Sequence, residues 1–408
     1  MIKNLLNSKS LLQHLLIAFI TATFFSAFIY LEYYGFTIKV LNTFFAISAL
    51  GLFLYIPKRA ILIAGGFIGL MWFYWISYSF EYYGVGWMMP IIILTFIVIY
   101  MLFFGVLALT NEVYIRAILL FALSFFEPFD WNWLQIELIF VESYIGVFKY
   151  QLALVLLALA LPSYMKKSFQ YMPLLFIVLA FNFTKPVQVE APLKIKLIET
   201  NIKQEEKWQQ NLLLPQIKDN ILNIRQAISE GYDLVVLPES CFPIFLEQNP
   251  MVFDALIELS QDISIIVGSL QTENAHNYNV TYFFQSGKVE VAKKMVLVPF
   301  GEYIPLPKFV QKFINNTFFA GLADFVAAEK PTDFIIKGIK FRNAICYEAT
   351  TQEIYAGDVK YLIAISNNAW FKASIEPTIQ NLLLRYYARK NDVVIYHSVN
   401  WKGTGMVK

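Results

Sequence analysis

Charge is scarce in this chain: only 15% of its 408 residues are charged, against 58% hydrophobic. A mean hydropathy of +0.53 is too apolar for a chain that folds wholly in water, so a large part must lie in lipid. The 32 basic and 30 acidic residues nearly cancel and form no long run of one sign. That removes the electrostatic footprint that nucleic acid requires. Histidine and cysteine are scarcer still. His14, His276 and His397, with Cys241 and Cys346, are scattered without metal-ligand spacing, so no metal site is expected. The two cysteines are expected as separate thiols, although an oxidising compartment would permit a disulfide between them. No internal repeat or low-complexity tract occurs.

What is abundant is apolar sequence, and it is concentrated in the first half. About 20 such residues cross a hydrocarbon core. Seven candidate spans follow one another at 11–30, 37–56, 60–79, 88–109, 113–126, 150–163 and 171–183, the last three short by that rule. The first span lacks a small-residue cleavage site and is followed at once by others, so it is no signal peptide. Lys3, Lys9, Lys58, Arg59, Lys166 and Lys167 all fall on one side of this arrangement, whereas Glu32, Glu81, Glu127, Asp130, Glu137 and Glu142 fall on the other. Basic loops stay in the cytoplasm, so an odd number of spans delivers the second half to the outer face. Gly65 and Gly69 form a GxxxG pair, read as close helix packing. Aromatics near span ends, such as Trp87, Trp131 and Trp133, read as an interfacial belt. The expected organisation is a membrane domain at 1–185, a Pro-containing linker at 186–192 and a soluble domain at 193–408.

Beyond the linker, strand-like and helix-like segments alternate at 193–199, 209–230, 234–238, 251–262 and 263–268. That pattern predicts an α/β domain. From 280 onward β-rich segments dominate, at 280–285, 289–292, 334–345 and 361–365.

Three of these segments place a reactive side chain where a strand ends. In LVVLPES (234–240) Glu239 follows a continuous apolar run, a position suited to taking and returning a proton. In KKMVLVPFGEY (293–303) Lys294 precedes a strand-like run, and a fixed ammonium can stabilise the oxyanion of a tetrahedral intermediate. In RNAICYEA (342–349) Cys346 closes an apolar run; a free thiol is mostly protonated at neutral pH and needs a base or a cation to activate it. Singly, each has a bland reading: a core thiol, a helix-terminal acid and a solvated flank. Together they form a nucleophile with a base and a cation, without a histidine.

The order Glu239, Lys294, Cys346 in LPES, KxxLVPFGEY and AICYE resembles the carbon-nitrogen hydrolase, or nitrilase-like, superfamily. The long PFGEYIPLP after seven spans is similar to its membrane branch, the apolipoprotein N-acyltransferases. NIKQEEKW (201–208) and ISNNAWF (365–371) extend the likeness over almost the whole chain. The resemblance implies an αββα sandwich on the outer face of the bacterial cytoplasmic membrane. It implies that Cys346 takes an acyl chain from a phospholipid, typically phosphatidylethanolamine, as a thioester and passes it to the N-terminal amine of a diacylglyceryl-cysteine lipoprotein. Glu239 would act as general base and acid and Lys294 as oxyanion partner, with Glu302, Tyr347, Glu348 and Trp208 in supporting positions. No metal or diffusible cofactor is implied, and a monomer is expected. The chain departs from the family in three places. Asn368 stands where an acid is common, an R-A-x-E motif is not clear in RYYARKND (385–392), and an eighth span is missing because the chain ends at Lys408. A membrane-tethered amidase and a non-catalytic membrane scaffold are the alternatives.

Overall fold

The computed structural model describes residues 10–82, 84–183, 188–274, 276–299, 301–303, 325–371 and 373–408. Lys3 and Lys9, part of the linker, and the IPLP end of PFGEYIPLP lie outside the described residues. The chain divides into two compact units, Met1–Lys185 and Pro186–Lys408.

The first unit is helical. Its helices are α1 (Leu11–Tyr33), α2 (Lys39–Tyr55), α3 (Lys58–Phe73, continuing as helical turns to Tyr82), α4 (Met89–Gly105), α5 (Val113–Leu123), α6 (Lys149–Ala160) and a short α7 (Leu175–Leu179). Among the described residues, three stretches are long and apolar enough to cross a membrane, Leu11–Tyr33, Lys58–Tyr82 and Gly86–Leu109. The seventh segment is shorter than its apolar run: α7 has five residues and is preceded by a 3₁₀ turn at Met172–Leu174 that contains Pro173. Proline removes a donor from the ladder and breaks the turn before it. Gly65 and Gly69 do what their spacing implies. A Cβ on either would stand 2.4 Å from a carbonyl oxygen of α4, that of Tyr100 or Phe96, so only glycine lets the two backbones meet. Residues 132–143 are buried against the helices, so they form an inward-folded insert instead of an exposed interfacial loop.

The second unit is a sandwich of two five-stranded sheets, ordered β1-β2-β3-β4-β5 and β10-β9-β8-β7-β6. The first contains β1 (Ile195–Leu197), β2 (Leu234–Val236), β3 (Ser264–Glu273), β4 (His276–Gln285) and β5 (Lys288–Lys293). The second contains β6 (Asp333–Ile336), β7 (Ile339–Ile345), β8 (Tyr361–Asn367), β9 (Val394–Asn400) and β10 (Gly405–Val407). Parallel pairs β1–β2–β3 and β7–β8–β9 alternate with antiparallel hairpins at the outer strands. Alternate residues of each sheet, including Val236, Ile266, Phe283, Phe341, Ile345 and Ile365, face one another in a shared core. The opposite face of the first sheet is covered by α9 (Gln210–Ser229) and α10 (Pro250–Leu259), with a short α8 (Gln204–Lys207) before them. Helix α11 (Glu376–Asn391) lies between β8 and β9 and packs on the turn that follows β7.

Candidate active site

The three residues singled out from strand ends are placed by both sheets. Glu239 follows β2 and is 7% exposed, buried rather than half-buried. Its loop is pressed against β3: a Cβ on Gly268 would lie 2.6 to 2.8 Å from the backbone of Ser240, Glu239 and Pro238, so glycine is required there. Lys294 follows β5 and is 1% exposed, not a solvated flank. Cys346 follows β7 and retains partial exposure. Its φ of 55° puts a non-glycine residue in the left-handed region, and Ser240 beside Glu239 does the same with φ 47°. Such strain is held only where packing over-determines it, and it collects at functional sites.

A polar chain links Lys294 to Glu239 through Glu302 and Asn279. Lys294 donates to Glu302 Oε1 at 2.8 Å and lies 2.7 Å from its Oε2. Asn279 Nδ2 donates to Glu239 Oε1 at 2.7 Å and reaches Glu302 Oε1 at 3.4 Å. The register sets this, because Lys294 N donates to Asn279 O across the β4–β5 pair. Burial would depress the Lys294 ammonium, but Glu302, Glu239 and Cys346 hold it above the ordinary lysine range. At Cys346 burial pushes the thiol well up, Glu239 adds to the rise, and Lys294 opposes it. The resting sulfur is therefore a thiol that must hand its proton to a neighbour before it can attack.

Glu348 lies two residues beyond Cys346 and braces the turn. Its Oε2 accepts from Ile345 N at 2.7 Å and its Oε1 from Met295 N at 3.0 Å. Burial pushes this carboxyl up to about 7 against the pull of those two donors. Tyr347 is buried beside it. Trp208 is different: it is 46% exposed on the surface of the soluble unit and is not drawn into the buried cluster.

Its neighbour Lys207 is, although reading the sequence singled out only the tryptophan. Lys207 is 1% exposed, and its ammonium donates to the Glu239 main-chain carbonyl at 3.0 Å. Burial lowers it to about 8, resisted by Glu239, Cys241 and Cys346. The local signal is weak, since the residue sits in the polar run KQEEKW. Cys241 is a free, buried thiol whose pKa burial pushes up to about 12. Asn368 is buried and donates to Gln380 Oε1 at 2.8 Å and to Lys402 O at 3.0 Å. Among the described residues, no group of three or more His, Cys, Asp or Glu side chains is arranged to hold a metal ion.

The arrangement brings a thiol, a buried carboxyl and a buried ammonium within charge range of one another, the set required for acyl transfer through a thioester. Two family models match: "Apolipoprotein N-acyltransferase integral membrane domain" over residues 12–183 and "Carbon-nitrogen hydrolase" over 198–403. A Wolinella succinogenes protein with the name apolipoprotein N-acyltransferase is 40% identical, the alignment covering 96% of this chain and 95% of that protein. Proteins of the same name from Helicobacter hepaticus and Helicobacter pylori are 38% and 36% identical over 87% and 86% of this chain, and over 91% and 83% of their own lengths.

Proposed function

This chain belongs to the apolipoprotein N-acyltransferase family, and from that premise we propose that Cys346 is the sulfur that carries the acyl chain. The enzyme is a membrane acyltransferase of lipoprotein maturation. The observation that supports the role of Cys346 is the linked set Lys294, Glu302, Asn279 and Glu239 gathered around it.

In the first half-reaction the Glu239 carboxylate takes the proton from Sγ, and the sulfur attacks the ester carbonyl of a phospholipid. The carbonyl oxygen becomes an oxyanion beside the Lys294 ammonium, which stays positive because Glu302 pairs with it. The C–O bond breaks, Glu239 returns the proton to the departing lysophospholipid oxygen, and a thioester remains. In the second, the amine of a diacylated N-terminal cysteine attacks the thioester and the C–S bond breaks. Its proton passes through Glu239 to Sγ, giving an amide and the free thiol. Lys207 holds the main chain of Glu239, so the carboxyl keeps its place through both steps.

Phosphatidylethanolamine is the donor in this reading, the enzyme works as a monomer in the bacterial cytoplasmic membrane, and the soluble unit lies on the periplasmic side. A thiol held at headgroup depth meets both lipid substrates away from bulk water, which favours aminolysis over hydrolysis. Incubation of the purified protein with phospholipid, followed by intact-mass measurement, tests the scheme. An acyl adduct that is lost in Cys346→Ala and discharged by a diacylated lipopeptide supports it; a wild-type protein that never gains the adduct sinks it.

A further inference from the structure

The scheme above leaves a second buried polar group unused. Helix α11 packs on the turn that Cys346 opens. Its first residue, Glu376, is 2% exposed, and its Oε2 has no hydrogen-bond partner among the described residues. Gln380 follows one helical turn later on the same face, equally buried, and its amide nitrogen is also unmet. The Gln380 oxygen already accepts from Asn368 at 2.8 Å, so the nitrogen is the free end of that amide. Leaving a buried donor or acceptor unmet costs about 1 to 3 kcal/mol each, an outlay that a ligand able to satisfy both would recover. A charge on Glu376 is felt at Cys346, which puts the carboxyl within electrostatic reach of the sulfur.

We propose that Glu376 and Gln380 form the subsite for the acceptor's N-terminus, with the carboxyl taking the primary amine and the amide nitrogen donating to the adjacent peptide carbonyl. The inference rests on the reading of Cys346 as the acyl carrier. Two substrates bring a primary amine, the lipoprotein N-terminus and an ethanolamine headgroup. The headgroup also brings a phosphate anion, which is costly to bury in a dry site without a cation, whereas the N-terminal residue brings a neutral carbonyl that suits Gln380. Burial holds the Glu376 carboxyl well above the ordinary range, so it rests as the acid. An ammonium beside it in a dry site releases one proton to solvent, because the uncharged pair is favoured there. The amine then donates an N–H to Glu376 and keeps its lone pair for the thioester. The N–C bond forms, the C–S bond breaks, and Glu239 carries the amine's second proton to Sγ.

The two half-reactions separate the possibilities. Full-length wild type, Glu376→Leu and Gln380→Met are loaded from phosphatidylethanolamine and, in parallel, from phosphatidylglycerol. Discharge to a diacylated lipopeptide is then followed by intact mass. Glu376→Leu should load within about twofold of wild type from both lipids and discharge at least about tenfold more slowly, with a raised lipopeptide KM, because the buried amine then lacks its acceptor. Gln380→Met should show a smaller slowing of the same step, and it carries the test if Glu376→Leu does not fold. Unchanged discharge in both variants, or equal slowing of loading and discharge, overturns the subsite while leaving the thioester scheme intact. Slowed loading confined to phosphatidylethanolamine also overturns it, in favour of the headgroup. A wild type that never loads overturns both.

Discussion

Arg116 in the membrane unit and Lys207 in the soluble unit are about equally buried, at 3% and 1% exposure, yet they do different things. Arg116 is occupied by main-chain carbonyls, those of Leu54, Ile56 and Thr110, and so ties helix ends together. Among the described residues Lys207 makes one bond, to the carbonyl of Glu239, and it feels the charges of Glu239, Cys241 and Cys346. The two units use glycine in the same divided way. Gly65 and Gly69 bring helix against helix, whereas Gly268 brings a strand against the loop that carries Glu239. Similar devices serve cohesion in one unit and placement of reactive groups in the other.

Substitutions of matched kind test that division. The largest effect is expected for Cys346→Ala, which removes the proposed nucleophile and should lower transfer by on the order of 10⁴-fold or more, with the protein still folded. Lys294→Met comes next, with a loss of about 10² to 10³ in kcat, measured as the rate of adduct formation. Lys207→Met should cost about ten- to a hundredfold, the value of one hydrogen bond from a charged donor. Lys207 also has a pH signature. Its folded value of about 8 lies below the ordinary 10.5, so between these the unfolded chain binds the proton that the folded chain has lost. Stability contributed by this group therefore rises with pH over that window while activity falls, and Lys207→Met should abolish the stability trend. Gly268→Ala should destabilise by about 1 to 3 kcal/mol through overpacking and also lower activity, because the displaced backbone carries Glu239. Gly65→Ala should cost about as much stability and leave the specific activity of the folded fraction unchanged. Parity between Gly65→Ala and Gly268→Ala in specific activity would erase the distinction between the units.

The sequence disclosed what local pattern encodes. Glu239 and Cys346 stood out because each follows an apolar run that had to be a buried strand, and those strands are there; Lys294 was read as preceding a strand at 296–298, but that run forms no strand and Lys294 instead follows the half-exposed β5. The GxxxG pair was legible because glycine at that spacing has few other uses in an apolar helix. Lys207 was hidden: nothing in QEEKW distinguishes an inward lysine from an outward one, since its burial is decided by the distant Glu239 loop. Trp208 attracted notice as an aromatic beside the motif, and the helix end turns it outward. Glu376 and Gln380 were obscured for a related reason. Helix α11 mixes charged and apolar residues around its circumference, so its buried face carries polar groups that periodicity assigns to solvent. In the insert at 132–143 the burial of Glu137 is offset by an ion pair with Lys149 at 2.6 Å, a partner that no local pattern discloses.

The carboxyl of Glu348 reaches in two directions at once, toward the amide that ends β7 and toward the amide just past Lys294. The first belongs to Ile345 at the end of β7 and the second to Met295, two residues past the end of β5 in the other sheet. One side chain thereby works as a rivet between the layers. Sliding one layer past the other would have to break one of these two bonds before it could part Cys346 from Lys294.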